Sequence, residues 1–524
     1  MLLRPAPSIF QMPSVTADAL LTEDPRATSS RSEFRGASAG RQHPYANLTL
    51  ALTRLITVPN PSYVQILKDR ILSITSFSLL RKGSIVQYDM DKKGEPLSSP
   101  RVLKGDYLWP NELSQFVDHT GCTITLVPDG FLLPGQNDGG LYAIPDRDQD
   151  PRRPIRITSS KPGWFHHKAV HVRLPGGEEG ILTARACKPL FGQGEGELVW
   201  LAMPPREEES WHSSLSVAEG EDDDDNGGGK GGGLDMDTAL EAPWEETVLA
   251  RGPDVMFEVV DLDPSDDSVE VIAAHFFGSR LSVHSLRAVG KKPFIEVSEL
   301  RSIETEGRPY GLCLLPQPSS SSSSAGGPRQ VLVSTHECAY DVLSAVDMAF
   351  SALRGAYPQI RPGGSAGHGA KSGADGGAGG ALYAYELPST RSSAKEKKSW
   401  GRRTLFRGFK VRGWGGIFSP GAPGFPYVFN LPSRPNAPPL ILLAGDCTGS
   451  AYIFSPVDRA GSGAGGEDAA ETSLAPYELA FEIECGATVG SAAVLPTDDA
   501  SGDVEIFVPS YELNRVHAFR LSAD

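Results

Sequence analysis

The sequence predicts an all-β fold, a β-propeller of four-stranded antiparallel blades, on three observations. First, a short apolar strand recurs along the chain: Gly180–Ala186, Val269–Ala274, Gln330–Thr335, Leu440–Gly445 and Asp503–Ser510. Each is largely apolar, as a strand covered on both faces must be. Second, every copy is followed by a polar corner and a further strand: Glu197–Met203, Leu281–Leu286, Ala381–Leu387, Ser450–Ser455 and Arg515–Leu521. Third, helical periodicity is scarce after Gly105. Repeated small sheets that hide both faces stack radially around an axis.

Gly252–Leu286 shows the unit most plainly. Met256–Val260 is a first strand, Asp261–Asp267 a turn, Val269–Ala274 a second strand, His275–Arg280 a corner and Leu281–Leu286 a third strand, with Phe294–Leu300 as the fourth. Upstream, Thr123–Val127 with Phe131–Leu133 reads as a broken second strand and Gly140–Ile144 as its third. Third strands centred on Tyr142, Trp200, Val283, Tyr383, Tyr452 and His517 give six units. Their first strands fall at Leu108–Val117, Phe165–Val172, Val255–Val260, Tyr310–Leu315, Pro426–Leu431 and Thr488–Leu495. Fourth strands fall at Ile155–Thr158, Glu246–Ala250, Phe294–Leu300, Arg403–Phe406 and Glu478–Glu482. The last unit has no fourth strand of its own, and Pro100–Lys104 is expected to supply it, closing the ring with the two ends of the chain. Six blades are therefore expected; a seventh requires a sheet hidden in Ile71–Asp91.

The remaining segments fit around that ring. Residues 1–60 read as poorly ordered and 61–99 as an extension with a helix over Pro61–Leu80. The propeller spans 100–524, with low-complexity inserts at 205–243, 317–329, 355–380 and 458–473 read as solvated loops. Ser344–Leu353 has the spacing of a short surface helix.

A net charge of −16 argues against a nucleic-acid partner. No apolar run approaches the roughly 20 residues of a membrane span. Met1–Phe10 is too short and too proline-broken for a good signal peptide, so an extracellular or secretory route is only slightly favoured, and a monomer is expected. Asn47-Leu48-Thr49 is a glycosylation acceptor sequence. Six cysteines allow bridges such as Cys313–Cys338 and Cys447–Cys485 in an oxidising compartment, or buried free thiols.

In this strand order, the corners after second strands and the entries to first strands open on one face. That face collects Trp109, Asn111 and Glu112; Trp164, His166 and His167; Arg185; Asp254; His275; Tyr310; His336 and Glu337; Asp446; and Tyr511 with Glu512. Histidines and carboxylates can ligate a metal or exchange protons, and aromatic rings stack on a sugar or another ring. The competing reading is that corner residues satisfy turn backbone. His166 and His167 are adjacent, so in a strand they point to opposite sides. His275 and His336 come from neighbouring units and form the better pair for a shared ligand, with Asp446 and Glu337 near.

The opposite face carries Asp261, Asp263, Asp266, Asp267 and Glu270, oxygen ligands at the alternation a calcium loop uses. Asp261 and Asp263 match the first acids of the Asp-x-Asp-x-Asp-Gly loop, and the chain here resembles the FG-GAP/VCBS-repeat β-propellers from about Asp106 to Ser522. The usual glycine is missing and Pro264 intrudes; Leu174–Gly180 has lost the aspartates, and Pro496–Asp503 keeps several without their spacing. The resemblance implies a propeller, and a family that hosts adhesion and carbohydrate-binding proteins and a few enzymes. Nucleophile and phosphate signatures are absent in context: Gly36–Gly40 and Gly363–Gly367 lie in low-complexity sequence, and no helix follows Gly192–Gly196. The expected function is recognition of a carbohydrate or protein partner on the histidine- and acid-bearing face. The alternative is a hydrolase, lyase or lactonase-like enzyme on the same face, with one divalent ion.

Overall fold

The computed structural model describes residues 31–35, 45, 47–78, 81–103, 105–118, 121–131, 136–146, 154–187, 194–204, 243–290, 294–316, 329–336, 380–397, 400–407, 409, 423–445, 449–457, 477–498 and 501–523. Two N-terminal strands come first, β1 (Arg31–Arg35) and β2 (Asn47–Thr57). The first blade is β3 (Pro61–Leu67), β4 (Ile71–Ser78), β5 (Arg81–Asp89) and β6 (Arg101–Leu103). The second is β7 (Ser114–Val117), β8 (Thr123–Pro128), β9 (Leu141–Asp146) and β10 (Ile155–Arg156). The third is β11 (Trp164–Arg173), β12 (Glu179–Cys187), β13 (Glu195–Ala202) and β14 (Glu246–Arg251). The fourth is β15 (Phe257–Val260), β16 (Val269–His275), β17 (Arg280–Val289) and β18 (Phe294–Glu304). The fifth is β19 (Arg308–Leu315), β20 (Gln330–His336), β21 (Ala381–Glu386) and β22 (Arg402–Arg407), with a four-residue helix α1 (Arg391–Ala394) before its last strand. The sixth is β23 (Phe425–Phe429), β24 (Leu440–Ala444), β25 (Ser450–Pro456) and β26 (Tyr477–Glu484). The seventh is β27 (Ala493–Pro496), β28 (Val504–Ser510) and β29 (Arg515–Ala523), completed by β2 with β1 outside it.

The propeller therefore has seven antiparallel blades, not six. Ile71–Asp91 does hold the further sheet, and the helix expected over Pro61–Leu80 is β3 and β4 instead. Its hairpin lacks the usual glycine or asparagine flag: the turn is Lys68-Asp69-Arg70, with Asp69 at φ 59° and Arg70 at φ 63°. Arg101–Leu103, expected to close the ring, pairs with β5 as the outer strand of the first blade. Closure comes from Asn47–Thr57, within a segment expected to lack order, through an antiparallel ladder with β29. Among the described residues no helix is long and apolar enough to cross a membrane.

A recurrent irregularity identifies β2 as a true outer strand. In the third to sixth blades the outer strand carries one extra residue at a matched position: Leu249, Leu300, Leu405 and Ala480. In the seventh blade the extra residue is Thr53 of β2. Such a bulge strengthens local twist, which lets the outer edge of each blade splay from its neighbours.

First strands lie innermost, where those of successive blades meet: β7 with β11, β15 with β19, β19 with β23, and β27 with β3. Second strands β16, β20, β24 and β28 are buried along their whole length. Apolar clusters fill the junctions between blades, as where Leu182 and Trp200 of the third meet Phe257 and Val271 of the fourth.

The closing strand is also pinned by charge. Glu505 of β28 is fully buried and accepts from Thr53 Oγ1 at 3.0 Å and Arg520 Nε at 2.9 Å, with Arg54 Nη2 at 3.6 Å. Burial raises its carboxyl above the usual range, while Arg54 and Arg520 pull the other way. Arg54 continues into the first blade, donating to Gly94 O and Glu95. Removing one partner of a buried ionic network strands the others, at about 3–5 kcal/mol. Glu505→Ala should therefore lower unfolding stability by about 3 kcal/mol, and Thr53→Ala by about 1 kcal/mol. Denaturant titrations of the full chain measure both, and a Glu505→Ala loss no larger than that of Thr53→Ala contradicts the account.

Candidate functional site

The face onto which second-strand corners and first-strand entries open is dominated by aromatic rings. One arc runs over the seventh, first, second and third blades. Tyr511 meets Phe77 at 5.1 Å between centroids, Phe77 stacks on Trp109 at 3.3 Å, and Trp109 stacks on Phe131 at 4.3 Å. Phe131 then touches Phe165 and His167. A second arc runs over the fourth, fifth and sixth blades. Phe276 packs on His336 and Tyr310, Tyr310 lies 4.9 Å from Phe425, and Phe425 lies 5.4 Å from Tyr63 of the first blade. That last contact passes the seventh blade, whose inner entry is small: Gly490, Ser491 and Ala492. Ser491 there bridges to Tyr63 in parallel. The inner strands bulge at this level, at Ser62, at His167 and at Tyr310 with Gly311, and a bulge re-aims a side chain.

The structure brings the expected polar residues to this face and then commits most of them internally. Asn111 Nδ2 donates to Gly130 O and His166 O. Asp254 accepts from the Phe276 and Phe277 amides at 2.7 and 2.8 Å, stapling the fourth blade's entry to its corner. Glu512 does the same for the seventh blade, accepting from the Thr488 amide and hydroxyl. Arg185 lies between Glu197 and Glu246, with Trp164 beneath it. His166 Nδ1 meets Thr183 Oγ1 at 3.1 Å. His275 turns into its own blade, where Ser282 Oγ sits 2.7 Å from its Nε2 and 2.8 Å from that of His284. His336 packs among Phe276 and Tyr310, so the two histidines expected to share a ligand face different surroundings. Glu337 and Asp446 lie outside the described residues.

Several residues of this face escaped the sequence. Asp129 accepts from the Leu108 and Trp109 amides and fastens the second blade as Asp254 fastens the fourth. Phe77, Phe131, Phe276, Phe425 and Tyr63 form most of the arcs; each lies within about three residues of a strand end, Phe276 in a segment expected as a polar corner, Phe131 in one expected as strand, and Tyr63 and Phe77 in one expected as helix.

Glu112 was grouped with the face but belongs to the axial channel. Lys168 Nζ there lies 2.8 Å from Glu258 Oε1 and 3.9 Å from Glu112 Oε1. Burial opposes the Lys168 charge, yet the two carboxylates outweigh it and hold the amine above the usual lysine range. Glu112 is raised, by burial first and then by Glu258, against the pull of Lys168. The Cys313 thiol is pushed up to about 12 by burial, with Glu258 adding to it.

On the opposite face the acidic turn serves itself. Glu270, fully buried, accepts from the Leu262 amide and Ser268 Oγ. Asp266 accepts from the Ser268 amide, Asp263 accepts from Ser265, and Asp267 pairs with Arg287. Asp261 adjoins them through its carbonyl, which accepts from Arg329. Among the described residues no three histidine, cysteine or acidic side chains are arranged to hold a metal. Cys122, Cys187, Cys313 and Cys485 are free thiols; Cys338 and Cys447, the partners expected for two of them, lie outside the described residues.

No family model matches the chain, and no curated protein matches it. Solved structures similar to it include the β-propeller domain of Nup133 from Vanderwaltozyma polyspora, at 6% identity, covering 93% of this chain and 99% of that one, with a TM-score of 0.40. A putative 6-phosphogluconolactonase from Bacteroides uniformis is 9% identical, covers 87% and 96%, and scores 0.39. The GH93 α-L-arabinofuranosidase of Fusarium graminearum with arabinobiose is 8% identical, covers 89% and 96%, and scores 0.35. Likeness at this level says nothing of function, and the fold rests on the seven sheets themselves.

The buried histidines make a pH prediction. Burial lowers His166, His275 and His336 to about 3 and His167 to about 4. Their rings stay neutral in the fold, so below about 6.5 the unfolded chain binds more protons, and each ring costs about 1.4 kcal/mol of stability per pH unit. Burial raises Asp129 to about 6 and Asp254 to about 7. These two carboxyls, with Glu112, Glu270 and Glu505, which burial also raises, favour the fold as pH falls toward 4; they oppose the histidines but are fewer, because burial also lowers His171, His284 and His517. The melting temperature should therefore fall between pH 6.5 and 5, and His336→Gln or His275→Gln should flatten that slope. Thermal unfolding followed against pH tests this; an unchanged slope in both variants contradicts it.

Proposed function

We propose that this propeller is a binding module without a catalytic role, and that it takes a carbohydrate or protein partner on the aromatic face. One observation carries the reading. Of the ionisable groups there, Asp129, Asp254, Arg185, Glu512, His166 and His275 each have a hydrogen-bond or ion-pair partner within the fold and His167 packs against Phe131 and Phe165, whereas Phe77, Phe131, Tyr310, Phe425 and Tyr511 are only half-buried around the opening. Half-exposed rings held in place by neighbouring rings offer area with little entropy left to lose, which suits stacking on a sugar face or seating an apolar anchor. The neutral histidines keep the surface uncharged. The FG-GAP/VCBS resemblance belongs to the same proposal, supported by the four-stranded repeat and by Asp261 and Asp263 in the third repeat unit read from the sequence.

Glycan and peptide arrays probed with the full chain should return a saturable ligand. Tyr310→Ala and Phe131→Ala should each weaken its binding about tenfold, the cost of one stacked ring, with melting temperatures confirming that the variants fold. Turnover of glycoside, lactone or ester substrates that is lost in His167→Ala would overturn the proposal in favour of an enzyme on the same face.

A further inference from the structure

The axial channel holds a charge imbalance that the face does not use. Glu112, Lys168 and Glu258 come from three consecutive blades and bring one ammonium against two carboxylates. Lys168 donates to Glu258 at 2.8 Å. Its separation from Glu112, 3.9 Å, is an ion pair too long for a hydrogen bond. The carboxylates keep some contact with solvent, at 22% exposure for Glu258 and 30% for Glu112.

Next to the pair, between β11 and β15, opens a cleft of about 290 Å³. Lys168 and Glu258 line one part of it, with Glu112 against Lys168 just outside the lining; Val170, Val172, Phe257 and Val259 supply an apolar wall, and His171 and Arg173, both beside Glu179, also line it. Lys168 Nζ lies 5.8 Å from the Phe257 ring centroid, so the ring already sits beside a cation and attracts positive charge. A hard metal ion needs more oxygen ligands than two carboxylates beside a resident ammonium provide. An organic cation needs only an acceptor for its N–H groups and an apolar surface for its stem.

We propose that the channel binds an alkylammonium or guanidinium group, received by the Glu112 and Glu258 carboxylates with its stem along Val170, Val172 and Phe257. The group can come from a free amine or from a lysine or arginine side chain on a partner's extended tail. Lys168 is the built-in competitor, holding one of the two carboxylates when the guest is away.

Calorimetric titration of the full chain at pH 7 with n-butylammonium, with n-butanol as the uncharged equivalent, tests the charge requirement. Saturable 1:1 binding of the amine and none of the alcohol is expected. Glu112→Gln should weaken it at least tenfold, whereas Lys168→Met, which removes the competitor, should tighten it at least tenfold. A lysine-containing blocked peptide binding more tightly than butylammonium assigns the guest to a partner's tail; weaker peptide binding assigns it to a free amine. Equal binding of alcohol and amine, no binding of either, an equal response to sodium or magnesium, or unchanged affinity in a folded Glu112→Gln variant overturns the proposal. Should Glu112→Gln fail to fold, the absence of tightening in Lys168→Met overturns it.

Discussion

The antiparallel ladder between β2 and β29 is the constraint on which the rest of the molecule depends. Each blade is apolar on both faces, so no blade is stable at the end of an open row. Closing a ring through residues more than 450 positions apart costs on the order of 5 kcal/mol of chain entropy. The closing strand offsets that cost twice over, because it feeds two junctions at once. Leu48 and Leu50 enter the cluster between the sixth and seventh blades with Leu440 and Ile506. Ile56, at the strand's other end, and Val58 just beyond it enter the cluster between the seventh and first blades with Leu72 and Phe507.

The repeat was legible wherever two conditions held: a second strand apolar along its length, and a third strand within a few residues or behind an obvious insert. Val269–His275 and Arg280–Val289 satisfy both: the pattern gives the first as Val269–Ala274, one residue short, and the second as Leu281–Leu286, stopping three residues before its far end. The first blade fails the first condition, because its second strand carries Ser73, Thr75, Ser76 and Ser78, and the turn before that strand gives no flag either. Asp69 and Arg70 occupy left-handed backbone without the residues that normally announce it. The closing strand failed for a different reason. Arg54 interrupts the apolar run Leu48–Val58, and its partner is Glu505, buried far along the sequence. No local pattern contains that information.

The site divides the same way. Topology sorts corner residues onto faces, so the assembly of Trp109, His166, His167, His336 and Tyr511 on one side followed from strand order alone. Which of them present surface does not follow. A carboxylate near a corner reads identically whether it awaits a ligand or caps amides, and Asp254 and Glu512 cap amides. The aromatic arcs were hidden because their members come from different blades, Phe425 touching Tyr63 across the seventh, and pairwise stacking between distant segments leaves no spacing to read.

Face and channel differ in the kind of selectivity each can supply. The face is wired to neutrality: its histidines are too buried to charge and its acids and Arg185 are matched with partners, so discrimination there rests on shape and stacking. The inner strands carry few charges, and against that background Lys168 and Glu258 stand out: Glu258 is the one charge of β15, and β11 holds Lys168 mid-strand with Arg173 at its far end. Burying an ammonium with two acceptors is costly unless the geometry is held from several sides. Here three blades hold it, so the channel's electrostatics are fixed by the same radial packing that fixes the fold. Any guest drawn to the axis by charge meets a field set by the ring, independent of the loops that decorate the face.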